Sequence, residues 1–284
     1  MTTAWLALAA AFLWGGGDFS GGMGVKAAGG RLPGALRVVL LSHASSLSVL
    51  LGLLAFRRDP FPHGALLAWG ILAGIAGGGG VVMFYIALSR GAMGASAAIS
   101  GLLAAAIPAV VAVQVDGAPG IRKLIGFVIA GGAIWLIAGA SGHEARGTKA
   151  LAILSGAGFG VYFVALRFAS TQGVFWPLAT SRIASLTVCS ILLLALHVRG
   201  VNKPYTFGRS AIGWTLGTAL LDTGGNLLFI AATRAGRLDV AAVLASLYPA
   251  TTILLAALAL EEAPTRRQSL GMGVAVAAVL LITL

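Results

Sequence analysis

Asp116-Gly117-Ala118-Pro119-Gly120-Ile121-Arg122-Lys123-Leu124-Ile125-Gly126 and Glu261-Glu262-Ala263-Pro264-Thr265-Arg266-Arg267-Gln268-Ser269-Leu270-Gly271 are one phrase written twice, 145 residues apart. An acid, then Ala-Pro, then an arginine and a glycine recur at identical spacing. Other anchors repeat at nearly the same offset. Ala87-x-Ser89-Arg90 returns as Ala231-x-Thr233-Arg234, Arg37 as Arg182, and Pro108 as Pro249. Around these anchors lie ten apolar blocks, at 4–24, 33–56, 64–88, 93–115, 121–140, 150–170, 174–197, 209–233, 238–260 and 267–284. Each is about 20 residues long, enough to cross about 30 Å of hydrocarbon at about 1.5 Å per helical residue. Each copy thus holds five spans. An odd number makes the second copy enter the bilayer from the opposite side. The expected fold is an all-α membrane protein of ten transmembrane helices in two inverted five-helix repeats, 1–141 and 149–284. Such repeats place a substrate site between them near the midplane.

Composition agrees. Of the 284 residues, 58% are hydrophobic and 10% charged, with mean hydropathy +0.97. A soluble domain is about a quarter charged, so this chain has too few charges to cover a solvated globule. The net charge of +11 is spread singly or in pairs between apolar blocks. That is the pattern of interfacial anchors against anionic lipid, not of a nucleic-acid surface. The single cysteine, Cys189, forms no internal disulfide and reads as a small core residue. The first block starts without a basic leader or cleavage-type site, as expected of a retained span.

The connections carry helix-ending residues: Arg57-Arg58-Asp59-Pro60, Asp116 to Pro119, Ser141 to Glu144, Asn202-Lys203-Pro204 and Glu261 to Pro264. None could hold a soluble domain. The 41 glycines suit a bilayer, where small residues let helices approach closely. Gly15 to Gly17, Gly21-Gly22 and Gly77 to Gly80 are expected to serve packing more than hinging.

Trp14-Gly15-x-x-Asp18-Phe19-x-Gly21-Gly22 resembles the opening span of EamA-type members of the drug/metabolite transporter superfamily. Asp222-Thr223-Gly224-Gly225-Asn226 and the run from Ala241 to Pro249, followed by Glu261, Arg266 and Gly271, are similar to other parts of that family. The resemblance implies a ten-helix exporter fold with a central cavity and cytoplasmic termini. Relatives carry Gly-Glu at the end of the fourth span, where this chain has Asp116-Gly117. Loop charge does not fix the orientation. Termini inside would put seven basic residues on the inner side and ten on the outer, against the usual bias.

An ionisable group deep in a bilayer is costly and reads first as functional. Asp222, near the centre of the eighth span, is the leading candidate for proton coupling or for a cationic substrate group. Its structural alternatives are a tie to Asn226 or to an arginine. Asp18 lies one turn after Trp14, and acid plus aromatic suits an organic cation through ion pairing and cation–π contact. His43 is a third proton-coupling candidate. Arg37 and Arg182 are expected to be structural charge pairs, tied to Asp18 or Asp222. Tyr85, Tyr162 and Tyr248 are candidate cavity residues, and Tyr248 precedes a proline that frees a helix carbonyl. The expected substrate-binding set is Trp14, Asp18, Tyr85, Tyr162, Asp222, Asn226 and Tyr248. Trp69, Trp176 and Trp214 read as interfacial anchors.

Nothing points to catalysis. The sequence lacks a Gly-x-x-x-x-Gly-Lys loop, and His143-Glu144 lacks the second histidine of a zinc-protease motif. No metal, cofactor or enzyme activity is expected. The function expected is alternating-access export of small metabolites, amino acids or related amphiphiles, across the inner membrane. Organic-cation efflux and a non-transporting sensor or assembly subunit are the alternatives. The expected partners are a small-molecule substrate and the lipid bilayer, without nucleic acid, and a homodimer is left open.

Overall fold

The computed structural model describes residues 2–90, 93–138, 147–200, 207–260 and 265–283. The connections at 141–144, 202–204 and 261–264, with the second Ala-Pro anchor, lie outside the described residues. Every regular element among the described residues is a helix: α1 (Thr2–Ala27), α2 (Leu32–Arg57), α3 (Ala65–Arg90), α4 (Met93–Val115), α5 (Ile121–Ala138), α6 (Thr148–Ala169), α7 (Phe175–Val198), α8 (Arg209–Ala235), α9 (Leu238–Ala245), α10 (Pro249–Leu260) and α11 (Arg266–Thr283). Among the described residues, six stretches are long and apolar enough to cross a membrane: Leu32–Arg57, Ala65–Arg90, Ser96–Val115, Thr148–Ala169, Phe175–Val198 and Leu238–Leu260. Large apolar side chains face outward from the bundle, Leu220 at 76% exposure and Leu258 at 73% among them. Such a surface is stable against lipid and a liability in water.

The ninth apolar block is two helices, α9 and α10, where the sequence predicts one. Pro249 has no N–H to continue the ladder. The chain tightens instead, with Leu247 N–H bonded to the Leu244 carbonyl and Tyr248 N–H to the Ala245 carbonyl, both at 3.2 Å. Glycines cover the break. Gly101 of α4 lies against the Ser246 carbonyl and Gly15 of α1 against that of Tyr248, and Thr252 Oγ1 donates to the Gly15 carbonyl at 3.2 Å. Pro108, the counterpart in the first half, leaves α4 continuous. Ala104, Ala105, Ala106 and Ile107 lead into it, where the second half has Ala245, Ser246, Leu247 and Tyr248; Ala105 is a stronger helix former than Ser246.

The main helix packings are α1 with α8, α3 with α6, α5 with α11, α4 with α6, α3 with α7, and α2 with α7. Glycine sets several of these distances. Along α3, a β-carbon on Gly70, Gly74 or Gly78 would overlap Thr180, Ser181 or Ser185 of α7. This is the small-xxx-small spacing that lets two backbones close together. A β-carbon on Gly77 would meet the ring of Tyr162, and one on Gly21 the ring of Tyr85. Gly79 alone of the Gly77–Gly80 run has nothing in reach.

Asp116, at the end of α4, ties that end to the start of α9. Its carboxylate accepts the Leu238 N–H at 3.0 Å, at the start of α9. Arg237 donates to the Asp116 and Gly117 carbonyls at 2.8 and 2.7 Å and to the buried Asp239 carboxylate at 2.7 Å. Gly117 holds a left-handed φ of 76° that makes the turn.

Replacing Gly74 by valine should lower stability by about 1–3 kcal/mol, the cost of overpacking a filled interface. The same change at Gly79 should cost far less. Unfolding midpoints of the two variants in detergent would distinguish them.

Candidate functional site

Six helices and the α9–α10 break enclose a cavity in the core of the bundle. Trp14 and Asp18 come from α1, His43 from α2, Gly74 to Val81 from α3, Phe159, Tyr162 and Phe163 from α6, Ser181, Arg182 and Ser185 from α7, and Asp222 and Asn226 from α8, with Tyr248 at the break. About 40 Å³ is open to the centres of water molecules. That is room for a few waters, at roughly 10–15 Å³ each.

Arg182 is the hub. Its side chain is 5% exposed, and each nitrogen is engaged. Nη2 pairs with Asp222 Oδ2, Nη1 meets His43 Nε2 at 3.0 Å, and Nε donates to Ser46 Oγ at 3.2 Å. Asp222 Oδ1 accepts Asn226 Nδ2 at 3.0 Å, and Asn226 Oδ1 accepts the Tyr162 hydroxyl at 2.5 Å. A guanidinium only donates, so His43 must accept at Nε2. Its proton is therefore on Nδ1, which donates to Ser185 Oγ at 2.8 Å. His43 is thus neutral here, and protonating it requires Arg182 to leave.

The other wall is less engaged. Asp18 lines the cavity with no hydrogen bond or ion pair among the described residues, within Coulombic reach of Asp222. The Tyr248 hydroxyl is buried without a hydrogen-bond partner among the described residues. Trp14 is stacked on Phe163 at 5.1 Å and 7°, and its pyrrole edge is seated on Gly225.

Of the residues singled out from sequence, Trp14, Asp18, His43, Tyr162, Arg182, Asp222, Asn226 and Tyr248 meet at this one cavity. Tyr85 is not among its lining residues; its ring is seated on Gly21. Arg37, half-buried on α2, is not a lining residue either. Trp135 turns outward at 60% exposure, with the Arg267 guanidinium 4.3 Å above its ring. Sequence reading passed over Ser46, Ser181 and Ser185. Their signal was a polar stripe at helical spacing, Ser181 and Ser185 on α7 and His43 and Ser46 on α2. Positions 145 apart line the same cavity: Trp14 with Phe159, Asp18 with Phe163, and Gly77 with Asp222.

A larger cleft, about 700 Å³ by the same measure, opens where α2, α6 and α8 end and α3 and α7 begin. Arg57, Asp59, Trp176 and Arg234 line it. Arg57 pairs with Asp59 at 3.2 Å, and the Trp176 indole donates to the Asp59 carbonyl at 2.9 Å.

Comparison with known proteins gives a family match over one segment and a fold. Residues 148–284 match the model of the EamA-like transporter family. No curated protein matches the sequence. One solved crystal structure of a protein superposes with a TM-score of 0.72 at 17% identity, covering 99% of this chain and 96% of that chain. At that identity the likeness is one of fold.

Breaking the buried pair from one side should be costly. R182M leaves Asp222 without its counter-charge and should lose about 3–5 kcal/mol. The double variant R182M/D222N removes both charges and should recover much of that loss. Chemical unfolding in detergent micelles would measure both.

Proposed function

From a multi-pass membrane protein whose residues 148–284 are of the EamA-like transporter family, we propose a secondary transporter that exports small metabolites, amino acids or related amphiphiles, by alternating access. The membrane is the inner membrane, with the termini on the cytoplasmic side. The working parts are two inverted five-helix repeats, 1–141 and 149–284, with α9 and α10 as the two parts of one span. The observation that carries this reading is the shared cavity, which positions 145 apart in the sequence line together.

The packing pattern supports it. Exchanging the halves turns the α1–α8 contact into the α3–α6 contact, and the α3–α7 contact into the α2–α8 contact, while α2–α7 and α5–α11 each map onto themselves. The matched family segment, 148–284, nearly coincides with the second repeat. A cavity that holds only a few waters cannot admit an amino acid until helices part, so cargo entry and exit require motion of one half against the other. With the termini inside, the cleft beside Arg57 and Arg234 opens to the cytoplasm, where an exporter loads.

Purified protein in proteoliposomes should release preloaded radiolabelled amino acids or amines faster than protein-free vesicles. D222N should slow that release at least tenfold, because it removes the charge that holds Arg182. Absence of flux across a panel of amino acids, amines and quaternary ammonium ions would favour a sensor or assembly role instead.

A further inference from the structure

The polar groups of the cavity fall into two sets. Tyr162, Asn226, Asp222, Arg182, His43 and Ser185 form a continuous hydrogen-bonded chain. Asp18 and the Tyr248 hydroxyl stand outside it, without hydrogen-bond partners among the described residues. Ser100, on the Tyr248 side, is engaged with Ser155 Oγ at 3.2 Å.

The charges are unequal. Asp222 and Arg182 cancel, His43 is held neutral by its contact with the guanidinium, and Asp18 has no counter-charge among the lining residues. An unmatched charge inside a bilayer is expensive and draws a cation or a proton. Trp14 is packed on Phe163 and Gly225, so a cation here depends on the carboxylate more than on the indole face. A carboxylate on the cargo would meet Asp18 with no uncommitted cation among the lining residues to receive it. The one group able to welcome it, Arg182, is committed on all three nitrogens.

We propose that this cavity, once helices part to admit cargo, selects a monocationic amine with an apolar body and discriminates against the amino acid that carries the same side chain. Asp18 takes the ammonium group and Tyr248 Oη accepts one of its N–H bonds. Phe159, Phe163 and Trp14 surround the apolar part, and the Arg182–Asp222 pair closes the carboxylate-binding option. Specificity then comes partly from repulsion of the wrong cargo. The inference rests on the transporter reading and narrows its cargo.

The test uses matched pairs on the full-length purified protein: phenethylamine against phenylalanine, and tryptamine against tryptophan. Binding is read by calorimetry and by the rise in thermal midpoint that a native-state ligand produces. The amines should bind at least tenfold more tightly than their amino acids. D18N should lose at least tenfold in amine affinity, and D18E should retain part of it. D222N, by releasing Arg182, should narrow the ratio between amine and amino acid, a change that a merely structural role would not produce. Equal or tighter binding of the amino acids would overturn the inference, as would unchanged amine affinity in D18N. If none of the four compounds binds while proteoliposomes carry another solute, the inference falls and the transporter reading stands. If the amines bind but do not cross, the site stands and the transporter reading falls.

Discussion

A guanidinium buried in the core of a membrane bundle must be matched, and the Arg182–Asp222 pair is how this protein matches it. The bilayer supplies no water to dissolve either charge. Once α7 carries Arg182, α8 must bring a carboxylate to it and α2 must offer acceptors on its remaining nitrogens. Asp222, His43 and Ser46 meet those demands. Satisfying Arg182 therefore fixes the relative placement of three helices, two from one half of the chain and one from the other. It also fixes the tautomer of His43, and through it the bond to Ser185.

Close approach is the second constraint, and glycine meets it. The α3 face of Gly70, Gly74 and Gly78 lets α7 come near enough for Arg182 to reach the cavity. Gly77 gives Tyr162 its seat and Gly225 gives Trp14 its seat. On the proposed repeat, the halves would share a plan but not a chemistry. Gly77 stands where the second half has Asp222, and Phe163 where the first has Asp18. Polar groups thus come from α1, α2, α7 and α8, and ring seats from α3 and α8.

The helical class and the membrane setting were legible because apolar length and sparse charge are one-dimensional properties. So was the clustering of Asp18, Asp222, Asn226 and Tyr162, since polar groups in apolar blocks have few places to go. Less legible was anything that depended on partners. His43 was one of three proton-coupling candidates, and the sequence does not reveal that Arg182 sits on its Nε2. Trp14 read as a cation–π face until Phe163 was seen stacked on it. Tyr85 read as a cavity residue, but its ring is taken by Gly21. The break between α9 and α10 needed more than Pro249, because Pro108 in a run of alanines breaks nothing.

The central claim is that one cavity is reached in turn from the two sides of the bilayer. Cys189 is the only native thiol and is buried, so C189A gives a clean background for a single cysteine at Ser181, a lining position. Oriented proteoliposomes would be exposed to a membrane-impermeant maleimide from one side, then from the other. The account predicts labelling from both sides, slowed by bound cargo. A cysteine that reacts from neither side, or from one side only whatever the cargo, would contradict it.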